Sequence, residues 1–109
     1  MATTYSGILI PIRREVRVVR YADYRDLNNL IDAHVGTVVR IGEIGRPDYT
    51  IDLWCDDEAL LMGDPQFNEL ATILASGYPV HGTAVMICTN RMGESRDLPF
   101  SIVESMLAP

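Results

Sequence analysis

The sequence predicts an α+β fold, and three observations carry that prediction. Five stretches alternate or run apolar in the manner of strands, and three repeat their apolar residues at helical spacing. Together they give the order β-β-α-β-β-α-β-α. The turns between them are short, with no repeat, low-complexity segment or Pro/Gly/Ser linker. The chain has 109 residues, a length that suits one domain, here residues 1–109, and that buries roughly two-thirds of its unfolded surface.

Gly7 to Ile12 alternates Ile8, Ile10 and Ile12 and reads as the first strand. Pro11 belongs at an edge or bend, because proline cannot donate to a ladder. Glu15 to Tyr21 is the second strand, with Val16 and Val18 on one face and Arg13, Glu15 and Arg17 on the other. A helix follows. Asp23 caps it, Asp26 takes a capping-box-like position, and Leu27, Leu30, Ile31 and His34 form its buried stripe up to a stop at Gly36. Thr37 to Ile44 is the third strand. Tyr49 to Asp56 is the fourth, with Tyr49, Ile51, Leu53 and Cys55 opposite Thr50, Asp52, Trp54 and Asp56. After a turn at Met62-Gly63, Asp64 and Pro65 signal a second helix. Its stripe is Phe67, Leu70, Ala71 and Leu74, and Gly77 closes it. Val80 to Thr89 is apolar on both faces and is placed centrally. A last helix starts near Asp97 and turns Phe100, Val103 and Leu107 inward.

Without its first strand and last helix this order is β-α-β-β-α-β. The expected architecture is therefore a ferredoxin-like βαββαβ core with an extra N-terminal strand and a C-terminal helix. Such a core packs its helices on one sheet face and leaves the other for solvent or a partner.

Composition narrows the function classes. Hydrophobic residues are 48% and charged residues 22%, which excludes disorder and a disulfide scaffold. The net charge is −6 and the pI about 4.7, which argues against general nucleic-acid binding. All nine basic residues are Arg, a pattern of GC-rich coding, with avoidance of lysine modification as the alternative. The charge is uneven: residues 1–25 balance to +3 and the remainder to −9. The basic first quarter suits an acidic partner, or the acidic remainder of a second copy. Cys55 and Cys88 show neither a C-x-x-C motif nor zinc spacing. With no signal-peptide pattern and no 18-residue apolar run, the expectation is a cytoplasmic protein with reduced thiols.

Several stretches carry a resemblance as a set: Leu27–Gly36, Ile51–Glu58, Asn68 with Ala71-Thr72, His81–Met86, and Gly93-Glu94 with Asp97-Leu98. Over nearly the whole chain they resemble a domain-of-unknown-function family of small proteins from bacteria, phages and mobile elements. The family has no established activity or catalytic residues, so nothing functional transfers residue by residue. The resemblance implies a setting, namely small accessory genes, often phage-borne, acting in a bacterial cytoplasm. Cys55 departs from the family pattern, where a plain aliphatic residue is usual. So does the Arg/Pro-containing loop between Gly42 and Tyr49.

The candidate constellations each have a plainer reading. Asp56, Asp57 and Glu58 end a strand and, with Asp64, offer oxygens to a hard cation, but without EF-hand spacing. They better suit a polar strand end turning into solvent, with Asp64 occupied as a helix cap, so no metal or cofactor is expected. Paired carboxylates for hydrolysis need two acids to converge, which no spacing here requires. Cys55 and Cys88 lie in apolar strands, where cysteine is usually inert packing. His81 stands seven residues before Cys88, about 20 Å along a strand, too far for direct contact. His34, on an apolar stripe, reads as a core or boundary histidine. Gly42–Arg46 does not open a helix and is no phosphate loop.

Trp54 is the most informative residue. On an open sheet face it is an interface anchor, and under a helix or strand it is packing. Asp52 and Asp56 share its face, and Arg13 and Arg17 of a second copy would complement them in a two-fold contact. The first expectation is a non-enzymatic phage or mobile-element accessory protein that binds a host protein, as a homodimer, through Trp54, Asp52, Asp56, Arg13 and Arg17. The second is a binder of a nucleotide-type small molecule through His81, Asn68, Arg91 and Arg96. The third is a metal-dependent hydrolase built on the acidic run.

Overall fold

The computed structural model describes residues 3–44, 48–61 and 66–108. The six strands are β1 (Tyr5–Ile10), β2 (Arg17–Tyr21), β3 (Gly36–Ile44), β4 (Tyr49–Asp56), β5 (Ala84–Asn90) and β6 (Ser95–Arg96). The helices are α1 (Tyr24–Leu30), α2 (Glu69–Leu74) and α3 (Phe100–Leu107), with a single 3₁₀ turn at Ala59–Leu61. The strands form one mixed-order sheet, β2-β1-β5-β4-β3, in which every neighbouring pair is antiparallel. β6 pairs Cys88 and Thr89 of β5, on the side β1 leaves after Ile8↔Met86.

The fold is therefore α+β, but its strand order differs from the split βαβ arrangement of a ferredoxin-like core. The strands flanking α2, β4 and β5, are adjacent and antiparallel. Those flanking α1, β2 and β3, lie at opposite edges. Burial explains the exchange. Gly7, Ile8, Leu9 and Ile10 are buried, so β1 needs a neighbour on both sides and cover on both faces. β2 carries exposed Arg17 and Arg20 and takes the edge, where charge discourages further pairing. β5 is central, as its two-sided apolar sequence requires.

The helices cover both faces. Ile8, Ile10, Ile51, Leu53, Cys55, Met86 and Cys88 meet Ala71, Leu74 and Ala75 of the α2 segment and Ile102, Val103 and Met106 of α3. On the opposite face Leu9, Tyr21, Val85 and Ile87 meet Leu27 and Ile31, with Leu30 and Trp54 alongside. The face expected to be open is thus partly covered by α1. The alternation in β4 holds as expected, with Ile51, Leu53 and Cys55 in one cluster and Trp54 against the other.

Local signals explain most helix ends. Asp23 Oδ1 accepts from the backbone N–H groups of Arg25 and Asp26, at 3.0 and 3.2 Å. Asp26 Oδ2 accepts from Ala22 N–H at 2.7 Å. α1 stops at Leu30, earlier than expected, with Asp32 in the left-handed region at φ 54°. His34 is consequently exposed, outside any helical stripe, and Gly36 opens β3. The expected Met62–Pro65 helix start and the Gly45–Pro47 part of the loop lie outside the described residues. α2 itself begins after Asn68, four residues beyond Asp64, because Phe67 is held in an extended bridge to His81. Ser76 and Gly77 at φ 55° and 93° end the α2 segment, as the glycine predicts.

Candidate functional site

The pairing register brings four chain segments to one end of the sheet. Ile10 pairs with Ala84 and Gly36 with Asp56. The β1–β2 connection, the start of α2, the start of β5 and the turn after β4 therefore share that end. Between the first two lies a groove of about 850 Å³, lined by Pro11, Arg13, Arg14, Phe67, Leu70 and Ile73, among others.

Its floor is anchored by Asn68. This side chain is buried, and Nδ2 donates to the carbonyls of Ile10 and Gly82, both at 2.9 Å. Its Oδ1 accepts from Ala71 N–H at 3.1 Å, and its backbone N–H donates to Val80 at 2.8 Å. One amide thus caps α2 and ties it to two strand ends. The Phe67 and His81 rings meet edge-on, with centroids 5.7 Å apart.

The groove's apolar wall faces solvent. Phe67, Leu70 and Ile73 are exposed, while Ala71, Leu74 and Ala75 pack inward. α2 is apolar most of the way round, so six residues of helix cannot hide all of it. The sequence places Phe67 and Leu70 in the buried stripe, whereas both are exposed, as is Ile73. The opposite wall is the hairpin tip. Arg13 sits there at φ 56°, and both Arg13 and Arg14 are exposed. Among the described residues no carboxylate lies within ion-pair distance of either guanidinium, whereas Arg20, Arg40, Arg91 and Arg96 each have one. Glu15 and Glu69 also line the groove.

At the far corner of the same end, β4 runs into an acidic turn. Asp56 Oδ1 accepts from Glu58 N–H at 2.9 Å, which bends the chain into the 3₁₀ turn. Asp57 is exposed and Glu58 half-buried, and Leu60 and Leu61 follow at 70% and 80% exposure.

The residues expected to bind a partner through the sheet face divide. Trp54 is half-buried against the α1 cluster, and its Nε1 donates to Asn28 Oδ1 at 2.9 Å. Asp52 is 3% exposed. Its Oδ2 lies 3.3 Å from the hydroxyls of both Thr50 and Thr89, and its Oδ1 lies 3.6 Å from Arg40 Nε. Asp52 is thus engaged inside the chain. Asp56 shapes the turn. Arg13 and Arg17 are exposed, Arg13 at the tip and Arg17 on β2.

The residues expected to hold a small molecule are not brought together. His81 and Asn68 stand at the groove end. Arg91 follows Asn90, at the opposite end of β5, about 20 Å away by strand rise. Its guanidinium lies 3.9 Å from Asp48, and that of Arg96 lies 3.8 Å from Glu94.

Cys55 and Cys88 are buried, free and on the same sheet face. Cys88 lies beside Ile51, four residues from Cys55 along β4. Burial pushes the Cys55 thiol up to about 11, with Asp56 and Asp57 adding to the rise. Burial also raises Cys88, with Asp52 adding and Arg96 opposing. Thiols held protonated in this way are poor nucleophiles. Among the described residues no three His, Cys, Asp or Glu side chains form a metal-holding group, and no helix is long and apolar enough to cross a membrane.

In comparisons with known proteins, a family model described as Domain of unknown function (DUF3846) matches residues 5–108. No curated protein and no solved structure matches the chain.

Proposed function

The chain belongs to the DUF3846 family, and from that premise we propose that it is a binding protein that captures an acidic, apolar segment of a protein partner. The observation that carries this reading is the groove at the sheet end. Three exposed apolar side chains, Phe67, Leu70 and Ile73, share a groove with two guanidiniums, Arg13 and Arg14, that among the described residues have no carboxylate within ion-pair distance. Apolar contact supplies affinity there, and the guanidiniums select carboxylates beside it. The groove is built on a strand end and a buried cap, so its walls are held in place before a partner arrives.

The lysine-free composition supports a GC-rich setting. The wider reading is an accessory protein of a phage or mobile element, acting on a host protein in a bacterial cytoplasm. Catalysis has weaker support, because both thiols are buried and raised.

The test uses two labelled peptides of equal length, one alternating Leu with Glu and one alternating Leu with Lys. Fluorescence anisotropy against the full chain is expected to show binding of the acidic peptide only, lost in Arg13→Glu/Arg14→Glu. Equal binding of both peptides, or of neither, would overturn the reading.

A further inference from the structure

We propose that the groove's occupant is a second copy of this chain, whose turn Asp57–Leu61 enters the groove while its own groove receives the first copy's turn. This inference rests on the groove reading above and names its partner.

The turn and the groove carry complementary chemistry at fixed positions. The turn offers partners for the groove's two guanidiniums and its apolar wall: two carboxylates, Asp57 and Glu58, followed by two exposed leucines, Leu60 and Leu61. Among the described residues neither carboxylate is in an ion pair, as neither Arg13 nor Arg14 is. Both features lie at the same end of the sheet, as the pairs Ile10↔Ala84 and Gly36↔Asp56 require.

Strand order then selects the symmetry. In β2-β1-β5-β4-β3 the basic tip caps the first two strands and the acidic turn follows the fourth, with β5 in the middle. The two features are therefore separated by about three strand spacings, or ~14 Å. A two-fold axis normal to the sheet and beside the start of β5 sets two sheet ends against each other with their left and right exchanged. Each basic tip then faces an acidic turn, twice over, as an isologous contact demands. A two-fold axis in the sheet plane, across the strands, would oppose Arg13 and Arg14 to their own copies and is disfavoured by like charge. The groove's own Glu15 and Glu69 stand on its walls and oppose an acidic guest, so the contact depends on Arg13 and Arg14 and weakens with salt.

Sedimentation velocity of the full chain tests this, with circular dichroism confirming that each variant is folded. The wild type is expected to dimerise, more weakly at high salt. Arg13→Glu/Arg14→Glu and Asp57→Arg/Glu58→Arg are each expected to raise the dimer Kd by about tenfold or more. The chain carrying all four changes is expected to recover the dimer, because the charges are exchanged and not removed. A wild type that stays monomeric, a dimer indifferent to both reversals, or a four-fold variant that stays monomeric would each overturn the inference. The anisotropy assay separates the two claims. A monomeric chain that still binds the acidic peptide keeps the groove and loses the second copy, whereas a chain that binds neither loses both.

Discussion

Asn68 shows how much one side chain can hold. Replacing it with Ala leaves the carbonyls of Ile10 and Gly82 without its amide and removes the cap on Ala71 N–H. The expected loss is about 2–4 kcal/mol, read by chemical denaturation, since each stranded buried group costs about 1–3 kcal/mol. The residue was legible as polar and near a helix, but not as buried. Its partners lie 58 and 14 positions away, and no local pattern reports contacts at such range. Gly36 gives a second test. A Cβ there would collide with the Trp54 indole, meeting Nε1, Cε2 and Cζ2. Gly36→Ala is expected to displace the ring, break its hydrogen bond to Asn28 and cost about 1–3 kcal/mol. Trp54 is the single tryptophan, so its emission reports the displacement directly. The glycine was expected to stop a helix. Its actual task is to let a cross-strand indole lie against the backbone, which depends on the register of β3 and β4.

At the scale of elements, what was legible is what neighbours in sequence decide. The bounds of β4, the Asp23 cap and the Gly77 stop follow from alternation, capping chemistry and backbone freedom. Asp23→Ala is expected to cost about 1 kcal/mol in thermal or chemical denaturation, through fraying of α1. The placement of α1 was not legible. Its stripe of Leu27 and Ile31 says that one side is buried but not against which sheet face. That choice is made by Leu9, Val85 and Ile87, which β1 and β5 bring together only after pairing. β6 was also missed, since two residues leave too short an alternation to read. The start of α2 shows tertiary pairing setting a helix boundary. Phe67 is held in its bridge with His81, and α2 is capped by Asn68 directly after it.

At the scale of the whole molecule, alkaline pH probes the shared core. Cys55 lies at about 11 in the folded chain against its ordinary value of 9, and burial raises Cys88 and Tyr21 as well. A raised folded pKa means that the unfolded chain releases the proton first. The stability these groups contribute is therefore full below about pH 9 and falls as pH climbs toward 11. Denaturant midpoints across that range are expected to decline, and Cys55→Ala is expected to make the decline shallower. Charge acts over the same scale. The +3 balance of residues 1–25 is visible in the sequence, but that Arg13, Arg14 and Arg17 stand at the same sheet end as the acidic turn, while Arg20 and Arg25 lie toward the other, depends on strand pairing. A two-fold contact through the sheet end fits better than the expected one through the sheet face, because α1 covers part of that face and Asp52 is already engaged.

If the end of the sheet is the binding surface, amide hydrogen exchange at low and high protein concentration will report it. Raising the concentration is expected to slow exchange in residues 12–15, 57–61 and 67–73 and to leave the exposed Val38 and Arg40 stretch of β3 unchanged. Slowing confined to β3 or to the β2 edge, or no change anywhere, would contradict it.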